Sequence, residues 1–252
     1  VSPDYTEANV WLTAIACAII YALANVPLSL SWWCLLRRFS TFVPPRTAVH
    51  IYGRSLIAKY VPGNFLHLAG RQTMGLAHGI EGWALVKATG YEHILILLSA
   101  LPFFLFVLPV FVTGTDPNIT LPLFLLSLSI LAVTLNGLFG RWLLRAFCLQ
   151  LGFLFLSATT FIILMAWVDP STPLSTNEIQ LYGGAYVVAW LIGLVTPGAP
   201  AGAGVRELVL IGLLEASMTN TGLLTIVILS RLTTLTGDFI FFVLAGLALD
   251  DK

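Results

Sequence analysis

Charged residues are scarce in this chain. Lysine, arginine, aspartate and glutamate make up 10% of the 252 residues, and their charges cancel to a formal net charge of zero. No bulk positive field would therefore attract a nucleic acid. The mean hydropathy of +0.93 excludes an ordinary soluble domain and a disordered chain. The sequence has no Gly-x-Ser-x-Gly element, no Walker A loop and no dinucleotide fingerprint, so we expect neither an enzyme nor a cofactor.

Cysteine and histidine are also few, and neither predicts a metal site. Cys17, Cys34 and Cys148 lie in or beside apolar segments, which is typical of inert buried thiols. The four histidines do not have the spacing of metal ligands.

Long apolar runs account for most of the chain. A membrane-spanning helix needs about 20 consecutive, mostly apolar residues. Five runs meet this requirement, at about 8–36, 91–113, 118–139, 147–168 and 221–249. The sequence therefore predicts an all-α, polytopic transmembrane bundle that forms one domain over residues 1–252.

Two further apolar segments are each divided by a Pro-Gly pair. Residues 47–80 contain Pro62-Gly63, and residues 178–217 contain Pro197-Gly198 followed by Pro200. Proline ends a helix, and the arms on either side are mostly shorter than a full span. Broken backbone is tolerated at membrane depth only where protein or a water-filled cavity surrounds it. We therefore predict two broken, re-entrant helical hairpins, with ordinary helical hairpins as the alternative.

The charges between the apolar runs separate by sign. Alternate loops carry only acidic residues, while the others carry the basic ones, which are Arg37, Arg38, Arg46, Lys87, Arg141 and Arg145. Cytoplasmic loops are enriched in lysine and arginine. We therefore expect a protein of the cytoplasmic (inner) membrane, with the N-terminus of this chain on the outer side and the C-terminus on the cytoplasmic side.

This orientation makes the two hairpins dip from opposite sides. The first unit, about 8–113, would begin outside, and the second, about 147–249, would begin inside. The run at 118–139 would be the extra crossing that inverts the second unit. The sequence thus predicts an inverted-topology repeat, an arrangement that places a binding site where the two units meet.

Charged residues inside the apolar segments indicate where that site lies. Each charge at bilayer depth costs roughly 2.5–3.5 kcal/mol on insertion scales and usually marks function. Arg71 and Arg206 each follow the proline of a Pro-Gly pair by nine positions. With the others, five cations face two carboxylates, and this positive excess predicts an anionic ligand. The seven positions are Arg54, Lys59, Arg71, Arg206, Glu207, Arg231 and Asp238.

The second break combines several features of a phosphate site. Gly202 and Gly204 allow tight turns and close ligand approach. The helix that begins after them offers free N–H groups, and the Arg206 guanidinium matches phosphate oxygens. In the alternative structural interpretation, small residues pack the hairpin and Arg206 is paired with Glu207 or Asp238.

The last apolar run holds two charges on one helix face, since Arg231 and Asp238 are seven positions apart. They either form a structural ion pair with their neighbours, or Asp238 holds Arg206 while Arg231 faces the ligand. Glu207 and Asp238 would balance the cations.

Two of the seven charged residues, Arg54 and Lys59, are candidates for a vestibule together with His67. Lys59 lies just before the first Pro-Gly pair, and His67 lies four positions before Arg71. The alternatives are that Arg54 and Lys59 extend to the membrane interface and that His67 is a satisfied core residue.

These motifs resemble a known family. Tyr60-Val-Pro-Gly-Asn-Phe-Leu-His-Leu-Ala-Gly-Arg71, the segment from Thr196 to Glu207, and Arg231 are similar to the transmembrane region of lysylphosphatidylglycerol synthases. That family also includes free-standing flippase-like membrane proteins. The resemblance implies translocation of an anionic or aminoacylated phospholipid, or of a polyprenyl-phosphate-linked sugar, between leaflets. Synthase activity belongs to a separate soluble domain, to which no part of this chain corresponds.

Three functions are compatible with these observations. A lipid flippase or scramblase would bind the head-group phosphate with Arg71 and Arg206, with Arg231 as a relay. A secondary transporter would carry a small organic anion through a cavity closed to lipid. A non-catalytic membrane protein would recruit a glycosyltransferase or a lipid-modifying synthase.

Overall fold

The computed structural model describes residues 7–39, 42–61, 65–112, 116–168, 174–217 and 220–247. Within these ranges the regular structure is entirely helical. The α-helices are α1 (Glu7–Arg38), α2 (Pro45–Leu56), α3 (Leu66–Ala77), α4 (Gly82–Ala100), α5 (Phe104–Phe111), α6 (Pro117–Phe139), α7 (Arg141–Val168), α8 (Thr176–Val195), α9 (Val205–Leu214) and α10 (Asn220–Leu247). Three short 3-10 turns occupy Ile57–Tyr60, Leu101–Phe103 and Pro200–Gly202.

Six helical stretches of the described chain are long and apolar enough to cross a membrane: Trp11–Arg38, Gly82–Phe111, Asn118–Phe139, Arg141–Val168, Thr176–Val195 and Gly222–Leu247. The all-helical, multi-pass membrane character predicted from the sequence is therefore confirmed. The stretch that adds to the five predicted spans is Thr176–Val195, which is α8 and was predicted as one arm of the second hairpin. With 20 residues, it is as long as a full span.

Two predicted boundaries were wrong, both at helix starts that carry basic residues. The second span was expected from about residue 91, but the helix begins at Gly82, so Lys87 is helical and not part of a loop. The fourth was expected from about residue 147, but α7 begins at Arg141. Hydropathy placed both starts too late because charged side chains lie on the first turns of the helices.

The α2–α3 pair forms a helical hairpin. The ring of His50, in the middle of α2, and the ring of His78, directly after α3, lie 6.2 Å apart between centroids. The end of α3 therefore packs beside α2. The 3-10 turn Ile57–Tyr60, which we call the first tip, follows α2. The predicted break at Pro62-Gly63 lies outside the described residues.

The α8–α9 pair forms the second hairpin. Its open end is marked by a cavity lined by both arms, from Asn177 to Leu181 and from Leu213 to Ser217, and by the end of α5. Helix α8 ends at Val195, directly before the predicted break at Pro197, Gly198 and Pro200, which is confirmed. The 3-10 turn Pro200–Gly202, which we call the second tip, contacts the first tip.

The long helices enclose these tips. Helix α1 packs against α7 and α10, and Gly237 of α10 lies so close to α1 that an added Cβ would be 2.7 Å from the Ala18 carbonyl. The outer surface is apolar, as in a protein surrounded by lipid. On α10, for example, the exposed apolar residues include Leu224, Ile228, Leu232, Leu235 and Phe239.

Candidate functional site

Two small adjoining cavities lie where the hairpin tips meet. The first has a volume of about 80 Å³ and is bordered by Arg71 and Glu92. The second has a volume of about 60 Å³ and is bordered by Arg206 and the second tip. Four residues line both cavities: Lys59, His67, Trp190 and Leu194. The two arginines predicted to act together therefore border neighbouring cavities with a shared wall.

Arg206 is a buried cation without a carboxylate partner in the described part of the chain. Its side chain is 9% exposed, and the three ion pairs found there involve other residues. Its Nη2 donates a hydrogen bond to the Tyr186 hydroxyl at 3.2 Å. A guanidinium does not lose its proton in proteins, so the positive charge remains. The predicted alternative, in which Arg206 pairs with Glu207 or Asp238, is wrong for this structure.

The backbone of the second hairpin fixes the Arg206 side chain. A Cβ on Gly193 of α8 would lie 2.4 Å from Arg206 Cγ, and one on Gly202 would lie 2.9 Å from Arg206 Cδ. Gly202 also has φ +73°, a conformation that favours glycine. These two glycines thus leave a slot for the aliphatic part of Arg206, which points its charged end towards Tyr186 and the second cavity.

Arg231 holds the second tip in place. Its Nη1 donates to the carbonyl of Ala201 at 3.0 Å, and its Nε lies 3.5 Å from Glu207 Oε1. Ala201 has φ +48°, a left-handed conformation that is strained for a non-glycine residue. Arg231 lines neither of the two cavities, so the expectation that it faces the ligand is not met in this conformation.

Asp238 joins α10 to the first tip and to α1. Its Oδ2 lies 2.7 Å from Lys59 Nζ and accepts a hydrogen bond from the Tyr60 hydroxyl at 2.5 Å. Its Oδ1 accepts from Asn25 Nδ2 at 3.2 Å. The carboxylate is 1% exposed and therefore depends on these three donors.

Arg71 is neutralised by an acidic residue that the sequence analysis did not single out. Its Nη1 lies 2.5 Å from Glu92 Oε2, and the guanidinium carbon lies 3.8 Å from the centre of the Tyr52 ring. The Tyr52 hydroxyl donates to the other oxygen of Glu92 at 2.9 Å. Glu92 was missed because the predicted second span began at about 91, which placed this residue at a helix end.

The pairing changes the charge balance expected at the site. Lys59, Arg71 and Arg231 each have a carboxylate partner. Among the described residues, Arg54 is exposed, and the four interior cations face the carboxylates of Asp238, Glu92 and Glu207. This leaves one positive charge, whereas the sequence predicted an excess of three. That charge is Arg206.

The other predicted site residues lie at different places in the structure. Arg54 is exposed on α2, its guanidinium lies over the Phe242 ring of α10, and it lines neither cavity. His67 lines both cavities, and its buried Nδ1 has no hydrogen-bond partner among the described residues. The alternative that His67 is a satisfied core residue is therefore wrong for this structure. Gly204 has φ +82° and caps the start of α9.

Comparisons with protein-family models, with curated proteins and with solved structures find no match to this chain.

Proposed function

We propose that the chain is a flippase or scramblase that moves the head group of an anionic phospholipid, or of a polyprenyl-phosphate-linked glycolipid, between leaflets. The observation that carries the proposal is the buried, unpaired Arg206 beside a cavity at the centre of an apolar bundle. A buried charge is strongly unfavourable without a partner, and the anionic head group would supply one. The motif resemblance to flippase-like membrane proteins agrees with this assignment.

The positions of the two hairpins support an inverted arrangement. The stretch from Gly82 to Phe111 begins four residues after the open end of the first hairpin, at His78, and ends beside the open end of the second. At about 1.5 Å per helical residue, this stretch is long enough to cross a bilayer. We propose that the two hairpins are re-entrant and dip from opposite sides, with their tips meeting inside the membrane.

The two arginines then have different roles. Arg206 would bind a phosphate oxygen through its free charge, since charge-assisted bonds of this kind are about twice as strong as neutral ones. Arg71 has its charge cancelled by Glu92 and would mainly hold α3 against α4 beside the path. A phosphate-binding role for Arg71 remains a prediction.

The cavities are too small for a lipid head group. Sites for drug-sized ligands usually measure about 300–1,000 Å³, whereas these two have volumes of about 80 and 60 Å³. Lipid transfer therefore requires the two tips to separate, with the acyl chains remaining in the surrounding bilayer. The same small volumes favour a second candidate function, secondary transport of a small anion.

One experiment with two arms distinguishes these functions. Vesicles containing the purified protein would be assayed for leaflet exchange of a fluorescent phosphatidylglycerol and for uptake of radiolabelled inorganic phosphate. A lipid flippase accelerates the first and not the second, and Arg206→Gln reduces exchange to the rate of protein-free vesicles. The matched control is Arg54→Gln, which removes an exposed arginine outside the cavities. Phosphate uptake without lipid exchange would assign the second function instead.

A further inference from the structure

We infer that Lys59 is a mobile relay that passes the anion from the cavity of Arg206 to the cavity of Arg71. The inference rests on the proposed function and adds a residue to its path. Lys59 is the only lysine or arginine among the described residues that lines both cavities. An anion moving from one cavity to the other must therefore pass its ammonium group.

The three cations around these cavities differ in their freedom to move. The stem of Arg206 is fixed between Gly193 and Gly202. Arg71 is 2% exposed and is held by Glu92 and the Tyr52 ring. Lys59 carries a compact charge on a flexible chain of four carbons, and its side chain is 20% exposed. Lys59 is thus the cation that can follow a ligand.

The surroundings of Asp238 permit this movement. When Lys59 leaves, Asp238 keeps the hydrogen bonds from the Tyr60 hydroxyl and the Asn25 amide. The carboxylate would then not be left without donors, which is the costly outcome for a buried charge. After the anion has passed, the same carboxylate attracts Lys59 back to its resting position. Asp238 therefore acts as the anchor to which the relay returns.

Lys59 lies on the first tip and faces residues of the second tip. Lys59 and Tyr60 belong to the first tip, and both line the second cavity together with Ala201 and Gly202 of the second tip. Binding an anion between Lys59 and Arg206 would connect the first tip to α9 of the second hairpin through a ligand, in place of the contact between Lys59 and Asp238. The expected ligand chemistry is thus a phosphate group that accepts from an ammonium and a guanidinium at once.

The decisive variant replaces both members of the ion pair, Lys59→Met with Asp238→Asn. This change removes the relay charge without leaving an unpaired carboxylate. We expect phosphatidylglycerol exchange in vesicles to slow at least about tenfold, as for removal of a charge-assisted hydrogen bond, with an almost unchanged melting temperature in detergent. Exchange within about twofold of wild type would overturn the relay, because a purely structural pair can be replaced by neutral residues.

If the double variant fails to fold, a second variant tests the relay role of Lys59. Lys59→Arg keeps the charge and the pair, but its planar group can bind Asp238 at two points and is less able to leave, so exchange should slow by about fivefold. Wild-type exchange by Lys59→Arg would equally overturn the relay. The control is Lys87→Met, which removes an exposed lysine that lies over the Trp83 ring of α4 and should leave exchange unchanged.

Failure of the relay can be distinguished from failure of the proposed function. If Arg206→Gln stops exchange while the Lys59 variants keep the wild-type rate, the relay alone is wrong. If Arg206→Gln exchanges lipid at the wild-type rate, the proposed function is wrong, and the relay fails with it.

Discussion

At the scale of single residues, the Arg71–Glu92 pair is the most deeply buried ion pair of the described chain, with both partners nearly inaccessible. Moving two charges out of water is costly, and their attraction offsets that cost only if both remain in place. Removing one partner leaves the other buried and uncompensated. The pair therefore makes the fold sensitive to either residue.

Glu92→Gln should lower the free energy of unfolding by about 3–5 kcal/mol, as expected when a buried ion pair is broken from one side. The measurement is denaturant unfolding in detergent. Glu81→Gln is the matched control, since Glu81 is exposed. Equal stability of the two variants would show that Arg71 does not depend on Glu92.

Gly193→Ala should displace Arg206 and slow lipid exchange about tenfold, because the new methyl group would overlap the side-chain stem and interiors do not accommodate added atoms without shifts. Gly212→Ala is the matched control, since a Cβ on this α9 glycine meets no atom within 4 Å. Exchange rates in reconstituted vesicles give the result. If both variants keep the wild-type rate, the slot between Gly193 and Gly202 does not position Arg206.

The part of the site in the second hairpin could largely be predicted from the sequence, but the pairing of the charged residues could not. The Pro-Gly break and Arg206 are close in sequence, so local backbone rules identify them together. Asp238 and Tyr60 are 178 positions apart, and their contact depends on how α10 packs against the first tip. No local pattern contains that information. The partner of Arg71 was missed because the predicted second span began too late, which placed Glu92 at a helix end and not inside α4.

At the scale of elements, hydropathy located the long helices and misjudged two of their starts. Arg141 and Arg145 belong to α7, and their guanidinium groups lie over the Trp142 ring. Long charged side chains of this kind can cover apolar surface with their stems while the charged group stays in water. Basic residues can therefore be part of the helix at the end of an apolar span. The hairpins were identified from their prolines. Their orientation in the membrane remains a prediction that depends on the charges of the loops.

Single cysteines at the hairpin ends test that orientation in a background lacking Cys17, Cys34 and Cys148. Asn177→Cys and Ser217→Cys mark the open end of the second hairpin, and Arg46→Cys and Ala77→Cys mark that of the first. By the positive-inside rule, a membrane-impermeant maleimide should label the first two variants in intact cells and the other two only after permeabilisation. Labelling of all four from one side would contradict the inverted repeat.

At the scale of the whole molecule, an apolar bundle surrounds a polar centre in which Arg206 is the one uncompensated cation among the described residues. The outer faces of α6 and α10 carry exposed large apolar residues, which suits contact with acyl chains. The centre holds two cavities with a shared wall that includes Lys59. In the proposed lipid transfer, the head group would enter the centre while the acyl chains stay outside, and the tips would have to separate.

The most direct test of this account compares the two arginines in one lipid-exchange assay. Arg206→Gln should reduce phosphatidylglycerol exchange at least about tenfold, because it removes the free charge that would bind the phosphate. The double variant Arg71→Met with Glu92→Leu should reduce it by no more than about threefold, because it replaces an already neutral pair. Equal losses in the two variants, or wild-type exchange by Arg206→Gln, would contradict the account.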